Sequence, residues 1–201
     1  MLRLYITRHG ETEWNIERRM QGHKDSRLTA KGIKDATALG ERLKDVDFAR
    51  IHSSSSGRAV HTAELIRGNR DIPIVPEDSL REINLGDWEG KTDVEVRQLD
   101  PQEHKAFWET PHLYAPKSGE SFFQVRDRIE VALLKIIDEN QNGNVLIVTH
   151  AVVVKTIMSI FKALPVEKVW DPPFVKGTSL CIVEIDKENR TVVLECDASH
   201  V

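Results

Sequence analysis

The nine residues Leu2-Arg3-Leu4-Tyr5-Ile6-Thr7-Arg8-His9-Gly10 decide the fold of this chain. Apolar side chains recur at every second position from Leu2 to Ile6, the period of a strand, and the run breaks at once into Arg8-His9-Gly10, where a turn is expected. After a polar loop containing Gly22, Thr29 stands where an N-cap opens a helix running to about Leu43. Ile33, Ala36, Leu39 or Gly40, and Leu43 form the face expected to meet a core. A strand followed by a helix is an α/β beginning.

The same alternation continues downstream. Phe48 to Ser53 reads as a second strand, a serine-rich turn ends at Gly57, and Arg58 opens a helix with Ala59, Ala63 and Ile66 on one face. Ile72 to Val75, flanked by prolines, reads as a short third strand. Between Ile83 and Gly119 the periodicity gives way to loops and short helices interrupted by Pro101, Pro111 and Pro116, with Trp88, Phe107, Trp108 and Tyr114 among them. Ser121 and Gln124 make a capping box for a helix to about Asn140, burying Val125, Ile129, Leu133, Ile136 and Ile137. The apolar run Val145 to Thr149 is that of a central parallel strand covered on both faces, and it ends at His150. Ala151 to Phe161 reads as the next helix, and Ser179 to Ile185 pairs with Thr191 to Cys196 through a turn at Lys187–Asn189. The expectation is a single domain spanning residues 1–201: a three-layer α/β/α sandwich with a mostly parallel central sheet. An insertion at roughly 83–119 lies over the C-terminal strand ends and forms part of the active-site cover.

Composition narrows the function classes. The chain has 201 residues, 40% hydrophobic and 30% charged, enough to bury a core without disulfide or metal support. The apolar stretch Val145 to Val154 is far short of the ~20 residues of a membrane span. Arg3, Arg8, Glu11 and Glu13 interrupt the N-terminus before a secretory h-region can develop. The two cysteines, Cys181 and Cys196, sit in β-like apolar stretches and read as buried thiols in a reducing cytoplasm. A net charge of −4 supplies no global attraction for nucleic acid or an acidic membrane, so an anionic ligand must be held by a local cluster of cations.

The strand ends supply such a cluster. In open α/β sheets ligands bind beyond the carboxyl ends of strands, where Arg8-His9 and His150 both fall, and Arg58 stands at a strand–turn–helix junction. Two guanidinium forks suit tetrahedral oxyanions, and two histidines add donors or a nucleophile, so the matching guest is a phosphoryl group. A helix beginning near Arg58 adds free backbone N–H groups to the same anion.

The stretch Arg8-His9-Gly10-Glu11-Thr12-Glu13-Trp14-Asn15, with Gln21-Gly22, Leu28-Thr29, Gly32, Arg58-Ala59, Thr62-Ala63, Leu80-Arg81-Glu82 and Thr149-His150, resembles the histidine phosphatase superfamily, also called phosphoglycerate mutase-like. Within it the chain looks most like the small bacterial broad-specificity phosphatases. The resemblance implies that His9 accepts the phosphoryl group, Arg8 and Arg58 clamp its oxygens, His150 donates to them and Glu82 is the general acid and base. It implies that Asn15, Gln21 and Gly22 line the phosphate pocket through side-chain or backbone donors. The expected activity is hydrolysis of small phosphomonoesters, with no metal or other cofactor and with small phosphorylated metabolites as partners. The oligomeric state is not written in the sequence. Three positions depart from the family pattern: His23 where tryptophan is frequent, His61 where glutamine is frequent, and Ala151 where glycine usually follows the second histidine. Alanine at 151 implies a backbone there that is ordinary or slightly strained, without the positive φ that glycine would allow.

Other readings stay open at this level. Glu77, Asp78 and Glu89 compete with Glu82 for the acid role, and Glu11 suits a helix or turn terminus. His52, His104, His112 and His200 read as surface or packing residues. His9, His150 and a carboxylate are also a known metal-ligand set, which two adjacent arginines oppose. A cofactor-dependent phosphoglycerate mutase is the alternative enzyme, although such relatives usually carry a longer insertion after the acid. A phosphate-binding module without turnover is the alternative outside enzymes. The aromatic segment Phe107 to Tyr114 either caps the pocket, favouring esters with apolar or uncharged bodies, or forms the core of the insertion.

Overall fold

The computed structural model describes residues 1–187 and 189–201. The chain runs β1 (Leu2–Arg8), α1 (Glu13–Ile16), α2 (Ala30–Arg42), β2 (Phe48–Ser54), α3 (Gly57–Arg67), β3 (Ile74–Glu77), α4 (Asp93–Leu99), α5 (Pro101–Glu109), α6 (Phe122–Glu139), β4 (Gly143–Thr149), α7 (Ala151–Phe161), β5 (Leu180–Asp186) and β6 (Asn189–Asp197). The strands form one six-stranded sheet in the order β3-β2-β4-β1-β5-β6. β1 to β4 are mutually parallel, β5 runs antiparallel to β1, and β6 returns antiparallel to β5.

Strand alternation sorts the core into two layers. Leu2, Leu4 and Ile6 of β1 join Val145 and Ile147 of β4 against α6 and α7. Tyr5, Leu146 and Val148 point the other way, against α2 and α3. β4 is therefore buried on both faces, as its unbroken apolar run requires, with each buried aliphatic side chain contributing ~1.5–3 kcal/mol. The result is the three-layer α/β/α arrangement.

Local chemistry sets the element ends. Thr29 caps α2 by accepting from the Gly32 N–H, and Ser121 and Gln124 complete their capping box at α6. The core face of α2 departs from expectation: Ala36, Leu39 and Leu43 are buried, but Ile33 is 37% exposed. Gly32 takes the inward place because α2 presses on the β1–α1 loop, where a Cβ on Gly32 would stand 2.1 Å from the Glu11 carbonyl oxygen. Ile33, about 100° further round the helix, then faces outward.

β3 starts two residues later than its apolar run suggests, because Pro73 precedes the ladder and gives its carbonyl to the Ile51 N–H at 2.9 Å. Pro76 is tolerated within it because β3 is an edge strand. α3 starts one residue early, at Gly57, and β4 and β6 each start two residues early, at Gly143 and Asn189. The expected turn at Lys187–Asn189 includes Glu188, which lies outside the described residues.

Residues 83–119 hold α4, α5 and single 3₁₀ turns. Their rings are a packing unit: Phe107 meets Trp88, Tyr114 and Phe122 edge-on or tilted at centroid distances of 5.9, 5.2 and 5.1 Å. Among the described residues no helix is long and apolar enough to cross a membrane.

Candidate active site

The sheet register assembles the site. Arg8 pairs with Thr149, so the next residues, His9 and His150, emerge side by side from adjacent central strands. The His9 N–H donates to the Thr149 carbonyl at 2.8 Å, and the two buried rings lie 5.1 Å apart between centroids. β2, on the other side of β4, ends at Ser54, whose Oγ is 2.7 Å from His150 Nε2. α3 begins three residues later and its first turn carries Arg58 inward, 2% exposed. Ala151 opens α7 without a positive φ, so the backbone there is the ordinary one.

Arg58 organises the two imidazoles. Its Nε donates to His9 Nε2 at 3.2 Å and its Nη2 to His150 Nδ1 at 3.0 Å. The rest of the fork is anchored: Nη2 also to the Gly22 carbonyl, Nη1 to the Lys24 carbonyl and to Asp25 Oδ1 at 2.9 Å. His9 Nδ1 is 2.7 Å from the Gly10 carbonyl, an acceptor only, so the ring carries its proton on Nδ1 and keeps a lone pair on Nε2. His150 is the opposite tautomer, with Nε2–H toward Ser54 and Nδ1 accepting from Arg58.

The electrostatics agree. Burial, reinforced by the charges of Arg58 and Arg8, holds His9 well below its ordinary 6.5, and burial followed by Arg58 does the same to His150. Both rings are neutral at physiological pH. Arg8 donates through Nη1 to the Val175 carbonyl at 3.0 Å, while its buried Nε has no protein partner. Glu82 accepts from the Ile83 N–H at 3.0 Å and from the Val152 N–H, in the first turn of α7, at 3.2 Å. Burial pushes its carboxyl above the ordinary value against the pull of those N–H groups and of the two arginines.

One cavity of about 440 Å³ is lined by Arg8, His9, Arg58 and Glu82 together with Asn15, Gln21 and Gly22, while His150 is fully buried and does not line it. Asn15 Oδ1 accepts from the Thr12 N–H and hydroxyl, which fixes the side chain at the cavity wall. The Gln21 amide nitrogen donates to Thr12 and Ser26, so its side-chain donors hold the loop together. Gly22 has φ +53°, and a Cβ there would stand 2.2 Å from Glu89 Oε1. The remaining wall mixes the rings of Trp14, Phe107, Trp108, Trp170 and Phe174 with aliphatic side chains and with the charged Arg18, Arg19 and Asp93. The insertion thus divides its rings: Phe107 and Tyr114 are buried in the core, while Trp108 is 43% exposed at the cavity.

Several supports lie outside the predicted site residues. Ser54 fixes the His150 tautomer, and Asp25 anchors Arg58. Thr62 accepts the Gly10 N–H and donates to the Arg58 carbonyl. Glu89, a rival acid by sequence, receives the N–H groups of His23, Lys24 and Leu85, and so ties the Gly22 loop to the insertion. Glu77 pairs with Lys135, Asp78 accepts from Ser55, and Glu11 accepts the Thr29 hydroxyl at the cap of α2. His23 and Arg81 meet through the His23 carbonyl, and His61 lines a separate surface depression with Asp25. His52 is buried in β2, and His104 binds Asp93 at 2.7 Å. Lys155 of α7 reaches the carbonyls of Asp171 and Pro173, tying down the segment that carries Trp170 and Phe174.

Comparison with known proteins gives a consistent picture. The fold is similar to that of YhfR from Bacillus stearothermophilus, with a TM-score of 0.98 and 53% identity over 100% of this chain and 99% of that one. It is similar to the alpha-ribazole phosphatase from Shigella flexneri, at a TM-score of 0.90 and 29% identity over 98% and 96%. In sequence it is 35% identical over 171 residues to a probable phosphoglycerate mutase, GpmB, of Salmonella choleraesuis (strain SC-B67), covering 82% of this chain and 77% of the relative. The family model of the histidine phosphatase superfamily (branch 1) matches residues 4–198. This chain belongs to the histidine phosphatase superfamily, branch 1.

Proposed function

We propose that the chain is a metal-independent phosphomonoesterase that hydrolyses small phosphate esters through a phosphohistidine on His9. The observation that carries the reading is the hydrogen-bond pattern at His9: a proton held on Nδ1 by the Gly10 carbonyl, and Nε2 presented to the Arg58 guanidinium. On binding, a phosphoryl oxygen takes over the Arg58 Nε–H, which frees the Nε2 lone pair for in-line attack on phosphorus. Arg8, through its unpartnered Nε, and Arg58 then balance the charge on the equatorial oxygens. His150 donates from Nδ1 to a phosphoryl oxygen once Arg58 is drawn off that nitrogen and the ring proton shifts from Nε2 to Nδ1, with the Ser54 hydroxyl then donating to Nε2. Asn15, Gln21 and Gly22 shape the wall beside the phosphoryl group.

Glu82 completes the cycle. Its raised pKa keeps a proton available to the leaving alkoxide, and the carboxylate that results takes a proton from the water that attacks phosphohistidine. No metal is needed in this scheme, since the guanidinium groups carry the charge and Arg58 already occupies the ring lone pairs a metal would require. Residues 1–201 act as one domain, with residues 83–119 supplying part of the cover. The aromatic side chains of the wall suit apolar substrate bodies and Arg18 and Arg19 beside them suit a further anionic group, in keeping with broad specificity.

The similarity to a probable phosphoglycerate mutase favours a second reading, isomerisation of phosphoglycerate. Phosphate release from model esters in the presence of a chelator, measured beside phosphoglycerate isomerisation, separates the two. The proposal expects chelator-resistant release and negligible isomerisation, and the reverse outcome overturns it. Replacing Trp108 by alanine is expected to weaken aryl esters more than polyanionic ones.

A further inference from the structure

Cys181 and Cys196 play no part in the candidate active site, yet the fold sets them face to face. Their sulfurs are 3.8 Å apart, and both thiols are free. The contact arises from a slip in the β5–β6 ladder. Leu180 pairs with Asp197 and Ile182 with Leu194, so Glu195 and Cys196 together oppose Cys181. Cys196 adopts φ +51°, a conformation that residues other than glycine rarely take, and its N–H donates to Cys181 Sγ at 3.2 Å. The bulge therefore turns the Cys196 thiol toward its neighbour.

The two thiols differ in environment. Cys181 is fully buried, with Ile6 of β1 as its register partner on the other side, whereas Cys196 is half-buried on the outermost strand. The hydrogen bond with Cys181, aided by the Lys155 and Lys162 ammonium groups, lowers the Cys196 thiol against burial and the Glu195 carboxylate, while the same hydrogen bond and burial push Cys181 up. One sulfur is approachable and more acidic; the other is reached only from its partner.

We propose that Cys181 and Cys196 form a reversible dithiol–disulfide site, oxidised by hydroperoxides, that staples the edge strand β6 to β5 in the folded chain. The Cys196 thiolate attacks the outer oxygen of the hydroperoxide, the O–O bond breaks, and the alkoxide leaves as an alcohol on taking a proton. Cys181 sulfur then attacks the sulfenic sulfur of Cys196. The S–O bond breaks, hydroxide departs with the Cys181 thiol proton as water, and the S–S bond forms. Two thiols and one hydroperoxide give one disulfide, one alcohol and one water, with both sulfurs oxidised and the peroxide reduced. The sulfurs must close to about 2.05 Å, an adjustment confined to two side chains and the bulge between them.

Treating the native, full chain with hydrogen peroxide, quenching with an alkylating agent and mapping peptides by mass spectrometry tests the site. The expected product has no disulfide between chains, has lost two hydrogens, resists alkylation at both cysteines and yields one cross-linked peptide that a thiol reductant separates. Amide exchange across β6 slows in the oxidised form. In Cys181→Ser the same treatment leaves Cys196 as a sulfenic acid that a dimedone reagent captures; in Cys196→Ser the buried Cys181 stays reduced. Two free thiols after treatment of the wild-type chain, sulfinic acid on Cys196 beside unmodified Cys181, a cross-link between chains, or faster exchange in β6 would each overturn the proposal. The wild-type arm stands without either variant.

Discussion

A neutral imidazole attacks phosphorus only while its lone pair is free of a proton, and His9 meets that condition through burial beside Arg58 and Arg8. In the proposed cycle Glu82 has the opposite problem, since there it must hold a proton long enough to give it away. Its raised pKa predicts that turnover of alkyl esters falls as pH rises through that value, because the proton-bearing form is lost. Glu82→Gln is expected to lower kcat/KM, which reports phosphoryl transfer to His9 and not the later hydrolysis, by ~10²–10⁴-fold for alkyl esters and much less for nitrophenyl phosphate, because a good leaving group needs no proton. Steady-state kinetics on the two substrates check this, and equal losses would remove the acid role. Arg8, His9, Arg58, Glu82 and His150 were legible because each belongs to a short motif with a chemical reason for its residue type. Ser54, Asp25 and Lys155 were not. Their partners stand 96, 33 and 16 or more positions away, so nothing local marks them.

The elements that carry these residues depend on close backbone approach and on one buried cation. α2 lies so near the loop after His9 that Gly32→Ala would drive a Cβ into the Glu11 carbonyl. The expected cost is about 1–3 kcal/mol, read from a denaturant midpoint, together with lower activity as the loop shifts. The segment Asp171-Pro172-Pro173-Phe174 has no N–H at its two prolines, and Lys155 supplies donors to its carbonyls. Lys155→Met is accordingly expected to raise KM for aryl esters severalfold with a smaller change in kcat, since Trp170 and Phe174 ride on that segment. Capping residues made the helix starts at Thr29 and Ser121 readable, and the unbroken apolar run did the same for β4. The errors have physical sources. Ile33 fails as a core residue because a glycine contact rolls α2, and β3 shifts because Pro73 lies ahead of the ladder.

The whole molecule pays for its site in acid stability. His9 and His150 ionise near 6.5 when unfolded but well below that in the fold, so below pH 6.5 the unfolded chain binds more protons and stability falls with pH. Glu82 works in the other direction, since its folded form keeps a proton above the ordinary carboxylate value, but burial lowers His23, His52 and His200 as well, so it is one group against five. The melting temperature is expected to drop below pH 6.5. His9→Ala should reduce that slope by up to ~1.4 kcal/mol per pH unit, the contribution of one proton. An unchanged slope would mean that His9 already carries a proton in the fold. The direct measurement is rapid acid-free quenching of the enzyme during turnover of a phosphate-labelled ester. An acid-labile, base-stable label on the peptide containing His9, absent in His9→Ala, is the result expected. Turnover at full rate with the label on another residue, or on none, would contradict it.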